Sequence, residues 1–150
     1  MRIPDPAEIR ALHEKHAPNH RNYIRHGLLG HEILEAEGLP EVLRRFCSHH
    51  TGVGLTRQDI VAQGLPLPPA DYLAVTEEER LVMYADKFHT KSRPSVYLSP
   101  DEYALHVARF GAQKVAAFEA LRAQFGDPAL TGPVPGFRPE DRSAAAAGRA

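Results

Sequence analysis

Apolar positions along this 150-residue chain recur at three- and four-residue spacing, the period of helices that bury one face. The first predicted helix opens at Pro6, carries Ile9, Leu12, His13 and His16, and stops near Ala17-Pro18. A second runs from about His26 to Glu37 with Leu29, Ile33 and Leu34 on one face and Gly38 as its C-terminal cap. After Leu39-Pro40, a third is expected to turn Val42, Leu43, Phe46 and Cys47 inward and Arg44 and Arg45 outward. It ends in His49-His50-Thr51-Gly52.

Thr56 to Gln63 reads as a short helix stopped by Gly64, and the prolines of Leu65-Pro66-Leu67-Pro68-Pro69 make the next stretch a surface loop. Thr76 with Glu79 three residues later is a capping box, opening a helix through Leu81, Val82, Tyr84, Ala85 and Phe88 that contains Asp86. Ser99-Pro100-Asp101-Glu102 starts another, with Tyr103, Leu105, Val107 and Phe110, and a last one follows through Val115, Phe118, Leu121 and Phe125. Gly126-Asp127-Pro128 stops it. No segment alternates with the period of a strand, so the expected class is all-α. Residues 1–126 are expected to form one helical domain. Residues 127–150, rich in Pro and Ala, have too little apolar bulk to bury and read as a disordered, flexible tail.

Composition narrows the function classes. With 18 Lys+Arg against 19 Asp+Glu the formal charge is -1, so no global field favours nucleic acid or an anionic membrane, and no nucleic-acid partner is expected. Cys47 is the single cysteine, which leaves no internal disulfide, and Met-Arg-Ile-Pro is not a secretory signal. With no apolar run long enough for a membrane helix, the expected place is the cytoplasm.

The nine histidines are the count that stands out, since imidazole is the commonest metal ligand. His26 follows Arg25 at a helix start, where it is a candidate ligand or a solvated cap. His49-His50 closes a helix before a glycine-containing turn, a placement that the helix dipole alone explains for protonated histidine. Asp86 borders an apolar stripe, where a carboxylate needs a metal, a hydrogen bond or an arginine partner. Together His26, His50 and Asp86 make a two-histidine, one-carboxylate set of the mixture that suits Mn, Fe, Ni or Zn. Spacing does not show that they meet, because they lie on three different elements.

The blocks Asn22-Tyr23-Ile24-Arg25-His26-Gly27, Gly30-His31-Glu32-Ile33-Leu34, Glu37-Gly38-Leu39-Pro40, His50-Thr51-Gly52-Val53-Gly54 and Tyr84-Ala85-Asp86-Lys87-Phe88 resemble the latter part of small bacterial HD-domain proteins. The match covers about 70 residues, roughly 21 to 90. The resemblance implies an incomplete HD-like helical bundle and a metal-dependent phosphohydrolase acting on a phosphate ester such as a nucleotide. It further implies at most one divalent metal held by His26, His50 and Asp86, and a phosphate contact from Lys87 or Arg25. The sequence departs from that family in having no His-Asp dipeptide, so no catalytic residue is assigned. Two alternatives stay open: an inactive HD-like module that binds a nucleotide or protein, and a helical oligomerisation protein with incidental histidines. In that family two helices stand between a block like Ile9–Pro18 and one like Asn22–Gly27, which are almost contiguous here; loss of two core helices would bare apolar faces, which a second copy of the chain could cover as a homodimer.

Overall fold

Described residues of the computed structural model are 23–90 and 96–130. The predicted helix from Pro6 lies outside them, as does the tail beyond residue 130. Among the described residues there are six α-helices and one 3-10 turn, with two isolated bridges and no strand, so the class is all-α. The chain divides into two compact units, residues 1–83 and 84–150.

In the first unit, α1 (His26–Ala36) and α2 (Glu41–Ser48) form a hairpin. Leu39 N–H returns to the Leu34 carbonyl at 3.0 Å through Gly38, whose φ of 76° only glycine adopts at little cost. Thr56 caps α3 (Arg57–Gln63) in a capping box with Asp59. The proline-rich loop then brings Tyr72 back beside Leu55, where the two exchange backbone hydrogen bonds of 3.1 and 2.8 Å. Val53, Leu55 and Ile60 are buried in this unit.

The expected Thr76–Glu79 box is present: Glu79 N–H donates to Thr76 Oγ1 at 3.1 Å and Thr76 N–H donates to Glu79 Oε2 at 3.3 Å, opening α4 (Glu77–Ala85). The same carboxylate accepts from Val75 N–H at 2.6 Å and from Arg45 Nε at 2.6 Å, tying the start of α4 to α2. This corrects the outward placement of Arg45. Its guanidinium follows a carboxylate whose side chain is 2% exposed, while Val42 and Leu43, expected inward, are exposed.

The second unit continues from α4 into the 3-10 turn Asp86–Phe88, so Asp86 stands on that turn and not inside a helix. Ser99 and Glu102 form the second capping box at the head of α5 (Pro100–Ala108), and α6 (Ala112–Phe125) follows. Phe118 is fully buried and meets Tyr103 at 4.9 Å, Tyr84 at 5.8 Å and Phe88 at 6.4 Å between ring centroids. Val107 and Leu121 complete that core. Leu81, Val82, Leu105 and Phe110, all counted as apolar-face positions from their spacing, are exposed.

Glu79 is held well below the ordinary carboxylate range, at about 2, first by its hydrogen bonds from Arg45 and then by the backbone N–H groups of Val75 and Thr76. A depressed carboxylate stabilises the fold above its unfolded value of 4.5, and that contribution is lost as pH falls toward about 2. Glu79→Gln is expected to cost about 2–3 kcal/mol in urea unfolding at pH 7. The gap from the parent chain should narrow between pH 4.5 and pH 2, so a gap independent of pH would remove the carboxylate from this role.

Candidate functional site

Close approach of two helices builds the site. A Cβ at Gly27 would lie 2.5 Å from the Cys47 carbonyl oxygen, and one at Gly30 would lie 3.1 Å from Cys47 Cβ. The first distance leaves no room for a side chain and the second is tight, so the approach of α1 to α2 depends on the missing side chain at Gly27 and is eased by that at Gly30. His26 and His50 are carried together by this approach, their Nε2 atoms 2.9 Å apart.

Protonation on the far side of each ring follows from its partner. His26 Nδ1 lies 2.8 Å from the Tyr23 carbonyl oxygen and His50 Nδ1 lies 2.7 Å from the Cys47 carbonyl oxygen. A carbonyl oxygen only accepts, so both Nδ1 atoms carry hydrogen and donate. Two neutral rings would then oppose lone pairs at Nε2. The two Nε2 atoms are thereby turned toward one another across the 2.9 Å contact. Tyr23 stacks on His26 at 4.7 Å, and Arg25 is exposed beside it.

A second chain of side chains runs from His31 through Ser48, His49 and Arg45 to Glu79. Arg45 NH1 stands 3.1 Å from His49 Nε2, and guanidinium only donates, so His49 accepts there and is neutral, with its hydrogen on Nδ1. That Nδ1 lies 2.7 Å from Ser48 Oγ and donates to it, which leaves the Ser48 hydroxyl to donate to His31 Nδ1 at 2.9 Å. Burial, and then the charge of Arg45, push the His49 value down, in keeping with a neutral ring. Sequence reading did not single out His31, Ser48 or Glu79 for this relay. The one available signal was the Thr76–Glu79 box, which marks Glu79 as a helix cap without revealing that it also anchors Arg45. Cys47 faces this hairpin, and burial pushes its thiol up, which makes it a poor thiolate.

Asp86 belongs to the second unit. Lys87 Nζ donates to Asp86 Oδ2 at 3.2 Å, with the lysine side chain 5% exposed. Tyr103 is buried in the same unit and is pushed up to about 12, by burial first and by Asp86 second. Of the ligand set expected from sequence, His26 and His50 both belong to the first unit and meet there. Among the described residues no group of three or more His, Cys, Asp or Glu side chains is placed to hold a metal ion.

No family model matches the chain. It is 43% identical over 70 residues to an uncharacterized protein of Methanocaldococcus jannaschii, covering 45% of this chain and 40% of that protein. It is 38% identical over 72 residues to the tRNA (cytidine(56)-2'-O)-methyltransferase of Picrophilus torridus, covering 48% of this chain and 20% of the enzyme. The enzyme of the same name from Thermoplasma volcanium is 30% identical over 94 residues, covering 62% of this chain and 27% of that protein. The chain thus spans less than half the length of these relatives. No solved structure matches.

These findings correct the HD-domain phosphohydrolase resemblance: no family model supports it, and the relatives with a functional name are tRNA methyltransferases, not hydrolases. The two alternatives, an inactive HD-like module and an oligomerisation protein, gain no support from those names either. The expectation of a small phosphorylated partner and no nucleic acid is corrected with it, since the named relatives act on tRNA. Physically, the quoted blocks are short runs of helix starts, glycine turns and histidines. Such runs share local structure without sharing chemistry. No helix among the described residues is long and apolar enough to cross a membrane.

Gly27→Ala should drive a methyl group into the Cys47 carbonyl and destabilise the chain by about 1–3 kcal/mol. Gly30→Ala, whose neighbour is the Cys47 side chain, should cost less. Equal unfolding midpoints for Gly27→Ala and the parent chain would show that the helices do not depend on this contact.

Proposed function

We propose that this chain is a helical accessory module of tRNA modification, one that engages RNA while methyl transfer is carried by residues outside the stretch its relatives share with it. The observation behind this reading is the coverage. A stretch of 70 to 94 residues recurs in two named methyltransferases, where it makes up 20% and 27% of the protein, and in a third protein where it makes up 40%. A stretch with such different surroundings behaves as a separate unit. The helical architecture of the described residues supports the same division of labour. Nucleotide cofactors in open α/β folds sit at the ends of parallel strands, and these helices present no such crevice. The expected cytoplasmic location goes with a partner in the tRNA pool. Arg25, exposed at the head of α1, is the phosphate contact this reading favours.

Purified chain should bind an unmodified tRNA transcript with a Kd of about 1–100 μM at physiological salt, weakening as salt is raised. It should transfer no methyl group from a methyl donor to that transcript. Absence of binding overturns the RNA reading, and methyl transfer by the chain alone overturns the accessory role.

A second reading concerns the histidine pair, and the paired Nδ1–carbonyl hydrogen bonds favour it. Metal-bound histidines commonly donate their other ring N–H to a carbonyl or carboxylate, which turns the free lone pair toward the ion. In this reading one divalent transition ion, Mn, Fe, Ni or Zn, is held between His26 and His50. An ion at about 2.05 Å from each Nε2 would see the 2.9 Å separation as an angle of about 90°, suited to neighbouring octahedral positions. Titration with Mn or Ni followed by calorimetry should give about one equivalent bound, lost in His26→Ala and in His50→Ala. Metal uptake that survives both substitutions, or none in the parent chain, excludes this site.

A further inference from the structure

In the second unit the end of α5 carries a run of rings and cations unrelated to the histidine pair. Tyr103 is buried, and the His106 ring stacks on it at 5.6 Å with 25° between planes. His106 in turn meets Phe110 at 6.2 Å, and the Arg109 guanidinium lies over the Phe110 ring, 4.9 Å from its centroid. The ladder therefore begins in the core and ends at the surface, where His106, Arg109 and Phe110 are all exposed and Phe110 keeps 49% of its surface in water.

The hydrogen-bond pattern fixes this arrangement. Arg109 NH2 stands 2.9 Å from His106 Nε2, and since the guanidinium only donates, His106 is the neutral acceptor. The charges that bear on His106 are those of Arg109 and Lys87, both positive. Glu102, one turn earlier on α5, is turned back to the Ser99 backbone N–H at 2.7 Å. Gly111 follows with φ 103°, swinging the chain away after Phe110, and nothing stands within 4 Å of where its side chain would be. The result is an exposed ring at the helix end, with a guanidinium over one face and an imidazole tilted by 56° beside it.

We infer that Phe110, Arg109 and His106 form a stacking platform for an unpaired base of single-stranded RNA, with the Arg109 guanidinium reaching the adjacent phosphate. An apolar protein surface would gain from Phe110 but not from the arginine and imidazole beside it. A base has a π-face for the ring and a phosphate for the cation. Stacking of this kind tolerates any base, so the platform would favour unpaired RNA over duplex and show little sequence preference. This inference rests on the RNA-binding reading above and locates part of it.

Fluorescence anisotropy of the full chain with a labelled ten-nucleotide oligouridine, a duplex of equal length and a tRNA transcript separates the two. The single strand should bind more tightly than the duplex. Phe110→Ala should weaken single-strand binding on the order of 5- to 100-fold. Phe110→Trp should keep the affinity, and the new indole should be quenched as RNA is added. Arg109→Gln should lower the slope of log affinity against log salt by about 0.7. If the parent chain binds tRNA and Phe110→Ala binds the oligonucleotide equally well, the platform is wrong while the RNA-binding reading stands. If the parent chain binds none of the three RNAs, the RNA-binding reading itself is overturned.

Discussion

The carbonyl of Cys47 decides how the first unit is built. It fills the space that a side chain at residue 27 would take, and it also accepts the hydrogen bond from His50 Nδ1. One backbone atom thus sets the separation of α1 and α2 and orients an imidazole. Because His26 is the residue next to Gly27, the approach that brings the glycine against Cys47 also brings His26 Nε2 to His50. The pair is a consequence of helix packing, and any residue larger than glycine at position 27 would separate it. Polar anchoring extends the same logic along α2, where Arg45 is held by Glu79 and in turn sets the direction of the hydrogen bonds through His49 and Ser48 to His31.

Much of the local structure was legible in the sequence because caps and glycines act over three or four residues. Thr76 with Glu79 and Ser99 with Glu102 open their helices as read, and Gly38, Gly64 and Gly126 end theirs. Facing was harder to read than existence. Val42 and Leu43 fit an inward stripe by spacing, yet α2 turns Arg45 toward the buried carboxylate, and a hydrogen-bonded charge pair outweighs the exposure of two aliphatic side chains. Leu105 and Phe110 were misplaced for a related reason: the core around Phe118 is closed by Tyr103 and Val107, which leaves the rest of α5 outside.

The site was legible only in part. Chemistry-bearing residues can be picked out by type, and His26 and His50 were, but their meeting depends on the close approach at Gly27, to which the sequence assigns no packing role by itself. Asp86 looked like their third partner because a carboxylate beside an apolar stripe calls for a partner. In the structure Lys87, the next residue in the chain, is one partner of that carboxylate. The family resemblance failed on similar grounds, since blocks of glycine turns and histidines report backbone geometry more than reaction type. The relatives that share 30–43% identity are longer proteins, of which the matched stretch makes up 20–40%.

A formal charge of -1 bears directly on how such a module could hold a polyanion. Long-range attraction is absent, so binding must come from short-range contacts in which one cation is paired with one ring, as Arg109 is with Phe110. A few such contacts give weak binding by themselves. Weak binding is sufficient when the module is joined to a larger RNA-acting protein, because the second contact then forms at the effective concentration set by the connection and not at that of free protein. A strongly basic surface would add affinity, but it would hold every RNA alike and slow release after each modification. Modest, stacking-based affinity in an otherwise neutral helical unit is therefore what an accessory part of a tRNA-modifying protein needs. Net charge reports the average over the surface, whereas the proposed stacking contact needs only one exposed ring and one arginine held beside it.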